Sequence, residues 1–144
     1  MPLIDVYPTG AVKPDWPTFA PEELLDETVP YIQRIAEEPL GGHRIVKLTG
    51  AGAALADNTD AASRWTSVGL TVAAVDQGAL SPIQIIGPIE ENSWNWVPNQ
   101  PVFLGSNGVP TQVVPTSPSF QRIIGVAVTP TLLYIDPYPA VTLV

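Results

Sequence analysis

The chain has no cysteine, and its one histidine is His43. Without thiols it forms neither disulfides nor cysteine-ligated metal sites, and its cysteine usage leaves the cellular compartment open. A lone histidine is a poor catalytic base unless a nucleophile and an orienting carboxylate stand beside it. The sequence therefore predicts a structural or surface role for His43.

Sequence motifs of reactive sites are missing as well. The chain has no Gly-x-Ser-x-Gly nucleophile elbow and no Gly-Lys-Ser/Thr phosphate loop. Residues 57–60, Asp-Asn-Thr-Asp, lack the alternating oxygen ligands, central glycine and final glutamate of a calcium loop. Glu90 and Glu91 are adjacent, so on a strand their carboxylates face opposite ways. We expect no enzyme activity, no catalytic or metal-binding residue and no cofactor.

Charge is scarce and mostly negative. Charged residues make up 14% of the chain and the formal net charge is -8, against about a quarter charged residues in an ordinary soluble domain. Binding to nucleic acid needs a basic patch, so we expect no nucleic-acid partner. No apolar run approaches the roughly 18 residues of a membrane span, and the N-terminus does not resemble a secretory signal. A surface with so few charges favours burial against neighbours in an assembly.

Proline and glycine are abundant instead. Seventeen prolines and eleven glycines make up about a fifth of the 144 residues, while 45% of the chain is apolar. Proline at this level excludes long helices and favours short strands with proline at their ends. The sequence predicts an all-β fold, a compact antiparallel β-barrel or sandwich with at most a short helix, in a single domain over residues 31–144.

Residues 1–30 are predicted to form an extended, proline-rich arm that ends in an acidic segment. Apolar side chains alternate there with prolines at positions 2, 8, 14 and 17, which favours a polyproline-like path. The arm could fold back on its own domain or lie across a neighbouring subunit. The acidic segment could be a solvated edge or a contact with a basic partner. The candidate assembly-interface residues of this region are Tyr7, Trp16, Phe19, Glu22 and Glu23.

The domain contains an internal similarity at a fixed offset of 56 residues. The matched pairs are Val46 and Val102, Leu48 and Leu104, Gly52 and Gly108, Val68 and Ile124, Gly69 and Gly125, Leu70 and Val126, and Val72 and Val128. A constant offset favours a structural repeat, although two glycine-punctuated β stretches can also align by chance. We predict two similar β units that pack on one core, at about residues 40–87 and 96–144.

Short apolar runs between turn residues predict the individual strands. The expected strands lie at 31–36, 43–48, 55–56, 68–75, 83–86, 101–104, 109–114, 122–128, 131–135 and 140–144, with a helical turn at 61–64.

Trp94 and Trp96 stand two residues apart, so on a strand they share one face. Two aromatic side chains on one face can anchor a core, form a subunit contact or stack on a sugar, and the nearby Asn95 and Asn99 would suit sugar hydroxyls. These alternatives stay open, and we include both tryptophans among the candidate assembly-interface residues.

Two stretches of the chain resemble small virion proteins of tailed phages. The first contains Arg34-Ile35-Ala36-Glu37, Leu40, His43, Ile45-Val46, Ala56-Asp57-Asn58 and Val68-Gly69-Leu70-Thr71; the second contains Trp94, Trp96, Pro98, Pro101-Val102-Phe103-Leu104, Gly108, Thr111-Gln112, Pro115-Thr116 and Ile124-Gly125-Val126-Ala127-Val128. Similar phrases occur in capsid decoration (cement) proteins and in domains of tail-fibre or tail-tip proteins. The resemblance covers residues 31–144 and is most specific in the last third of the chain.

The resemblance implies a β-barrel or tulip-like domain that sits on the virion and often forms trimers. Its partner would be the major capsid protein on the outer surface of the phage head, and its work would be to stabilise the shell by bridging capsid subunits. The resemblance implies no catalytic residues for this chain. The alternatives are a tail or tail-fibre component with tail proteins as partners, and a carbohydrate-binding module that uses Trp94 and Trp96.

Overall fold

The computed structural model describes residues 31–116 and 120–142, which form an almost entirely β structure. The strands are β1 Tyr31–Ile35, β2 Ile45–Leu48, β3 Ala53–Leu55, β4 Val68–Thr71, β5 Leu80–Gln84, β6 Gly87–Glu90, β7 Pro101–Leu104, β8 Pro110–Thr111, β9 Phe120–Gln121, β10 Ile123–Ala127, β11 Leu132–Ile135 and β12 Val141–Thr142. A short helix, α1, spans Ala62–Trp65, and a 3₁₀ turn spans Ser106–Gly108. The predicted all-β fold with a short helix is confirmed.

The strands form two antiparallel five-stranded sheets whose strand orders match. The first sheet has the order β1-β5-β4-β2-β3 and the second has the order β6-β11-β10-β7-β8. Matching β1 to β6, β2 to β7, β3 to β8, β4 to β10 and β5 to β11 converts one order into the other. We call β1–β5 the first unit, and β6–β8 with β10–β11 the second unit. The fold is therefore built from two similar β units, while β9 and β12 pair in a separate two-stranded sheet.

The strand register follows the same 56-residue offset. In the first unit the pairs are Ile45 with Leu70 and Val46 with Gly69; in the second unit they are Pro101 with Val126 and Val102 with Gly125. The correspondence is interrupted in the second unit by a β-bulge between Ile123 and Gly125, which shifts the residues before Gly125 by one position.

The matched glycines Gly69 and Gly125 occupy equivalent places of close approach. A Cβ added at Gly125 would lie 2.2 Å from the backbone oxygen of Tyr134, and one at Gly69 would lie 2.5 Å from Cγ2 of Ile83. In both units the neighbouring strand comes so near that no side chain fits. These glycines set the spacing of the central strand pairs.

Equivalent positions also define two faces for each sheet. We call the side that carries Val46 in the first unit and Val102 in the second unit the front face. The side that carries Ile45 and Pro101 is then the back face, because adjacent residues on a strand point to opposite sides.

The larger core cluster joins the back face of the first unit to the front face of the second. Its members include Ile45, Val68 and Leu70 from the first unit and Val102, Leu104, Ala127, Leu133 and Ile135 from the second. Full burial of a Val, Leu or Ile side chain contributes roughly 1.5–3 kcal/mol. The two units therefore stack front to back, and this contact is the main apolar core.

Two chain connections cover the front face of the first unit. Residues 36–44 join β1 to β2, residues 72–79 join β4 to β5, and the N–H of Leu40 donates to the carbonyl of Val75 at 3.0 Å. A second apolar cluster of Ala36, Leu40, Val46, Ala53 and Ile83 lies under them. The first unit is consequently covered on its front face and, over most of β2, β4 and β5, on its back face.

The structure corrects the bounds of three predicted strands. The strand expected at 68–75 ends at Thr71, since the residues after it turn to form the cover with Leu40. The strand expected at 109–114 is reduced to β8, and Gln112 instead binds the Val97 backbone through its side chain, at 2.8 and 2.9 Å. The strand expected at 83–86 starts earlier and forms β5.

Candidate assembly surface

The back face of the second unit carries an apolar row that crosses four strands and is exposed except at Pro101, which is half-buried. In spatial order the row is Pro88 on β6, Tyr134 on β11, Val126 on β10 and Pro101 on β7. Val126 is 40% exposed and Tyr134 is 45% exposed. Val128, just beyond β10, is exposed as well. We call these five residues the exposed face.

The equivalent row in the first unit is buried on β2, β4 and β5, while Tyr31 at its β1 end is 46% exposed. Ile45 and Leu70 match Pro101 and Val126 at the 56-residue offset, and both are 1% exposed because they pack against the second unit. Gln84 continues this row on β5, where its amide nitrogen donates to the carbonyls of Ile86 and Pro88 at the crossing between the sheets. The same sheet face is thus an interior contact over β2, β4 and β5 of the first unit and is largely exposed in the second.

Few charges interrupt the exposed face. Among the strand residues that point to this side, the charged one is Glu90 on β6, whose carboxylate accepts a hydrogen bond from the Thr131 hydroxyl at 3.0 Å. An uncharged, apolar sheet face is suited to contact with another protein surface.

The edge of this sheet is protected against strand addition. The N–H of Glu91 donates to the carbonyl of Thr131 on the β11 side, so by alternation position 88 points its backbone nitrogen outward. That position is Pro88, which has no N–H to offer to an added strand. Pro88 therefore removes one donor from this edge and makes it a poorer template for an added strand, although the N–H of Glu90 also points outward.

Trp94 and Trp96 lie in the connection between β6 and β7, not on a strand. Both are half-buried and pack against the larger core cluster, and their ring centroids are 5.4 Å apart. The N–H of Trp96 donates to the carbonyl of Pro130 at 2.8 Å, while its indole Nε1 is buried without a hydrogen-bond partner among the described residues. Both side chains contribute to the core, and an interface role for them stays a prediction.

His43 ties the first unit to this tryptophan segment. It precedes β2 with a left-handed backbone, φ 56°. Its ring meets that of Trp94 edge to face at 5.3 Å, and its Nδ1 lies 3.2 Å from Oε2 of Glu91. No nucleophilic side chain completes a catalytic arrangement in these contacts.

The loop at residues 57–60 forms a second tie between the units. The carboxylate of Asp57 accepts hydrogen bonds from the N–H and hydroxyl of Thr59 and from the N–H of Asn107 in the second unit, the last at 2.9 Å. Burial raises the pKa of Asp57, but these hydrogen bonds outweigh it and the pKa lies below its usual value. Hydrogen bonds to the Asp57 carboxylate therefore hold the loop and link it to Asn107.

Asp60 in the same loop pairs with Lys47 on β2. The Nζ of Lys47 lies 2.5 Å from Oδ2 of Asp60. The hydrogen bond from Lys47 is the main reason why the pKa of Asp60 lies below its usual value, and the N–H of Ala62 adds to the effect.

Five of the predicted interface residues cannot be placed relative to the exposed face. Tyr7, Trp16, Phe19, Glu22 and Glu23 lie outside residues 31–116 and 120–142. The exposed face was not among the predicted sites. A usable signal was present, since β10 and β11 are apolar at consecutive positions, the pattern of strands with two apolar faces.

Residues 31–116 and 120–142 contain no group of three or more His, Asp or Glu side chains placed to hold a metal ion. In the same part of the chain no helix has the length and apolar character needed to span a membrane.

Comparisons of the chain with family models, with curated proteins and with solved structures gave no match.

Proposed function

We propose that this chain is a structural protein of a phage virion, a capsid decoration protein that stabilises the head shell by bridging subunits of the major capsid protein. The observation that carries the proposal is the exposed face, which is apolar and nearly uncharged in a chain of net charge -8. The resemblance of residues 31–144 to decoration proteins supplies the partner. A homo-trimer on the outer surface of the head is part of the proposal.

The exposed face is smaller than one complete stable interface. Four strands at a spacing of about 4.8 Å, and the three residues from Val126 to Val128 at about 3.3 Å each, give it an area of roughly 200 Å². A stable pairwise interface covers about 800 Å² on each partner. The exposed face would therefore be one part of a larger footprint, as expected for a protein that bridges several capsid subunits.

Rebinding to capsids stripped of the protein tests the proposal. In Val126→Glu a carboxylate lies in the middle of the exposed face, and burying that charge against an apolar partner is unfavourable. We expect this variant to fold but to leave capsids undecorated and sensitive to heat and osmotic shock. Leu80→Glu is the matched control, because Leu80 is 58% exposed on β5 of the first unit.

Equal decoration by Val126→Glu, Leu80→Glu and the wild type would reject the exposed face as the capsid contact. Stripped and complete capsids that survive heat equally well would reject the decoration role itself. The number of copies in an intact particle separates the head from the tail, since hundreds of copies indicate the shell and a handful indicate a tail component.

A further inference from the structure

Arg122 carries a guanidinium that crosses the junction between the two units. Its backbone carbonyl accepts a hydrogen bond from the N–H of Leu104 on β7 at 2.9 Å, which fixes the residue in the second unit. Its Nη1 donates to the carbonyls of Ser63 at 3.0 Å and Thr66 at 2.5 Å, at the C-terminal end of α1. The side chain is therefore held at both ends, and the residue is 8% exposed.

The other edge of this guanidinium has no acceptor among residues 31–116 and 120–142. Both hydrogen bonds that its side chain donates to those residues leave from Nη1, and Nε is buried without a partner there. The Nε–Nη2 edge of an arginine offers two parallel N–H groups, which bind a carboxylate through both of its oxygens. Arg122 therefore keeps an edge for carboxylate recognition unused.

The charge of Arg122 is not balanced by an acidic side chain in the described part of the chain. The ion pairs there are His43 with Glu91 and Lys47 with Asp60. Burial lowers the pKa of the Arg122 guanidinium, but arginine starts so high that it stays protonated in proteins. Backbone carbonyls carry only partial negative charge, so a carboxylate beside Arg122 would be favourable.

Arg122 lines an apolar groove of about 390 Å³, which we call the Arg122 groove. The other lining residues are Ile32, Leu48, Ser67, Val68, Ile85 and Pro137. None of these is acidic. Ile32, Leu48 and Ile85 lie at the margin of the second apolar cluster, and Val68 belongs to the larger core cluster. The groove thus combines apolar walls with one cation.

The Arg122 groove runs across one end of the first sheet. Ile32 is near the start of β1, Ile85 follows the end of β5, Val68 starts β4 and Leu48 ends β2. These strand ends share one edge of an antiparallel sheet, in the spatial order β1-β5-β4-β2. Three strand spacings give about 14 Å, which is the length of about four residues of extended chain. A groove of this length fits a short extended peptide segment.

The position of Arg122 in the groove sets the pattern of such a segment. Arg122 lies beside β4, since the Thr66 carbonyl that it binds is two residues before Val68. The wall formed by Ile32 and Ile85 is about one and a half strand spacings away, about 7 Å. Residues two apart on an extended segment are separated by about 7 Å and point to the same side. A carboxylate and an apolar side chain at that spacing would meet Arg122 and this wall together.

We propose that the Arg122 groove is a docking site for an extended segment of another protein, in which an acidic residue pairs with Arg122 and an apolar residue two positions away packs on Ile32 and Ile85. Arginine is enriched among the residues that contribute most to protein–protein binding, where surrounding contacts exclude water. The groove shares no residue with the exposed face, and the inference does not depend on the function proposed above.

Titration of the full chain with short peptides tests the proposal. The probe is acetyl-Ser-Leu-Ser-Glu-Ser-amide, and its control has Gln in place of Glu, which keeps the size and removes the charge. We expect the Glu peptide to shift the NMR signal of the Arg122 Nε–H group and to bind at least about tenfold more tightly than the Gln peptide. The isomer acetyl-Ser-Ser-Leu-Glu-Ser-amide should bind about fivefold more weakly than the probe, because adjacent side chains point to opposite sides.

Two adjacent isoleucines provide matched variants of the protein. Ile85 lines the groove, whereas Ile86 is 40% exposed and lies outside the lining. Ile85→Ser should weaken binding of the Glu peptide about fivefold, and Ile86→Ser should leave it unchanged. Arg122→Gln should abolish the preference for Glu over Gln, with binding followed at the backbone N–H of Ser67. If Arg122→Gln does not fold, the peptide pair and the isoleucine pair decide.

The proposal is overturned if the Glu peptide leaves the Arg122 signal in place, if the Gln peptide binds equally well, or if both isoleucine variants behave alike. Acetate that shifts the signal at the same concentration as the Glu peptide would also overturn it, since the groove would then hold any small anion. A signal that shifts with protein concentration in the absence of peptide would overturn it in favour of a second copy of this chain.

Discussion

The two units share a strand order and a register, yet they bury different amounts of their surface. In the first unit residues 36–44 and 72–79 cover the front face, and the second unit covers the back face. In the second unit the connection between β10 and β11 is shortened to residues 128–131, and the back face is left exposed. Equivalent backbone positions therefore have different roles, which are set by what packs against them.

The largest expected effect comes from truncating the matched pair Leu70 and Val126. Leu70 is 1% exposed and Val126 is 40% exposed. Leu70→Ala leaves a cavity between the units and should lower the free energy of unfolding by about 3 kcal/mol. Val126→Ala should lower it by about 0.5 kcal/mol or less. Urea unfolding of both variants measures the difference, and equal losses would show that the back face of the second unit is covered in solution.

The matched glycines should give a smaller but still unequal pair of effects. Gly125→Ala places Cβ 2.2 Å from a backbone oxygen, whereas Gly69→Ala first meets a side-chain methyl of Ile83 at 2.5 Å. A rotamer change of Ile83 relieves only part of the clash at Gly69, because Cβ there also lies 2.9 Å from the backbone oxygen of Gln84, but that backbone contact is longer than the one at Gly125. We expect losses of about 3 kcal/mol for Gly125→Ala and about 1–2 kcal/mol for Gly69→Ala. A larger loss at Gly69 in thermal or urea unfolding would contradict the close approach of β10 and β11.

The smallest effect concerns pH and the loop at residues 57–60. The pKa of Asp57 is lowered in the folded state, so its contribution to stability is present above the unfolded pKa of about 3.9 and is lost as the pH falls further. At the 56-residue offset Asp57 corresponds to Val113, which is exposed, so the second unit has no equivalent titration. Asp57→Asn should weaken the fall in stability below about pH 4. An unchanged pH profile in this variant would reject the hydrogen-bonded Asp57 carboxylate as a source of the pH dependence.

The repeat and the strand positions could be predicted from the sequence because they depend on local patterns. The 56-residue offset located both units, and the strand at 101–104 was predicted with its observed bounds. The end of β4 was missed because residues 72–75 are apolar like a strand, although they belong to the cover over Leu40. An apolar pattern indicates that a side chain is buried, but it does not indicate which part of the chain covers that side chain.

The exposed face could not be predicted from the sequence, for a related reason. Leu70 and Val126 look alike in sequence, and only the stacking order of the units decides that the first is interior and the second is bare. Trp94 and Trp96 show the converse case, since their spacing suggested one strand face but the residues lie in a connection against the core. Sequence spacing alone does not determine how these residues pack in the tertiary structure.

The same-sense stacking of the two units gives the molecule a polarity. If its two sheets met across a dyad, both ends would be alike; here one end is sealed by its own loops and the other is open. A second copy cannot repeat the internal stacking on the exposed face, because the front face of its first unit is already covered by residues 36–44 and 72–79. A fibre that repeats the internal stacking is therefore excluded, and the open end is left for a closed pair or for the surface of another protein.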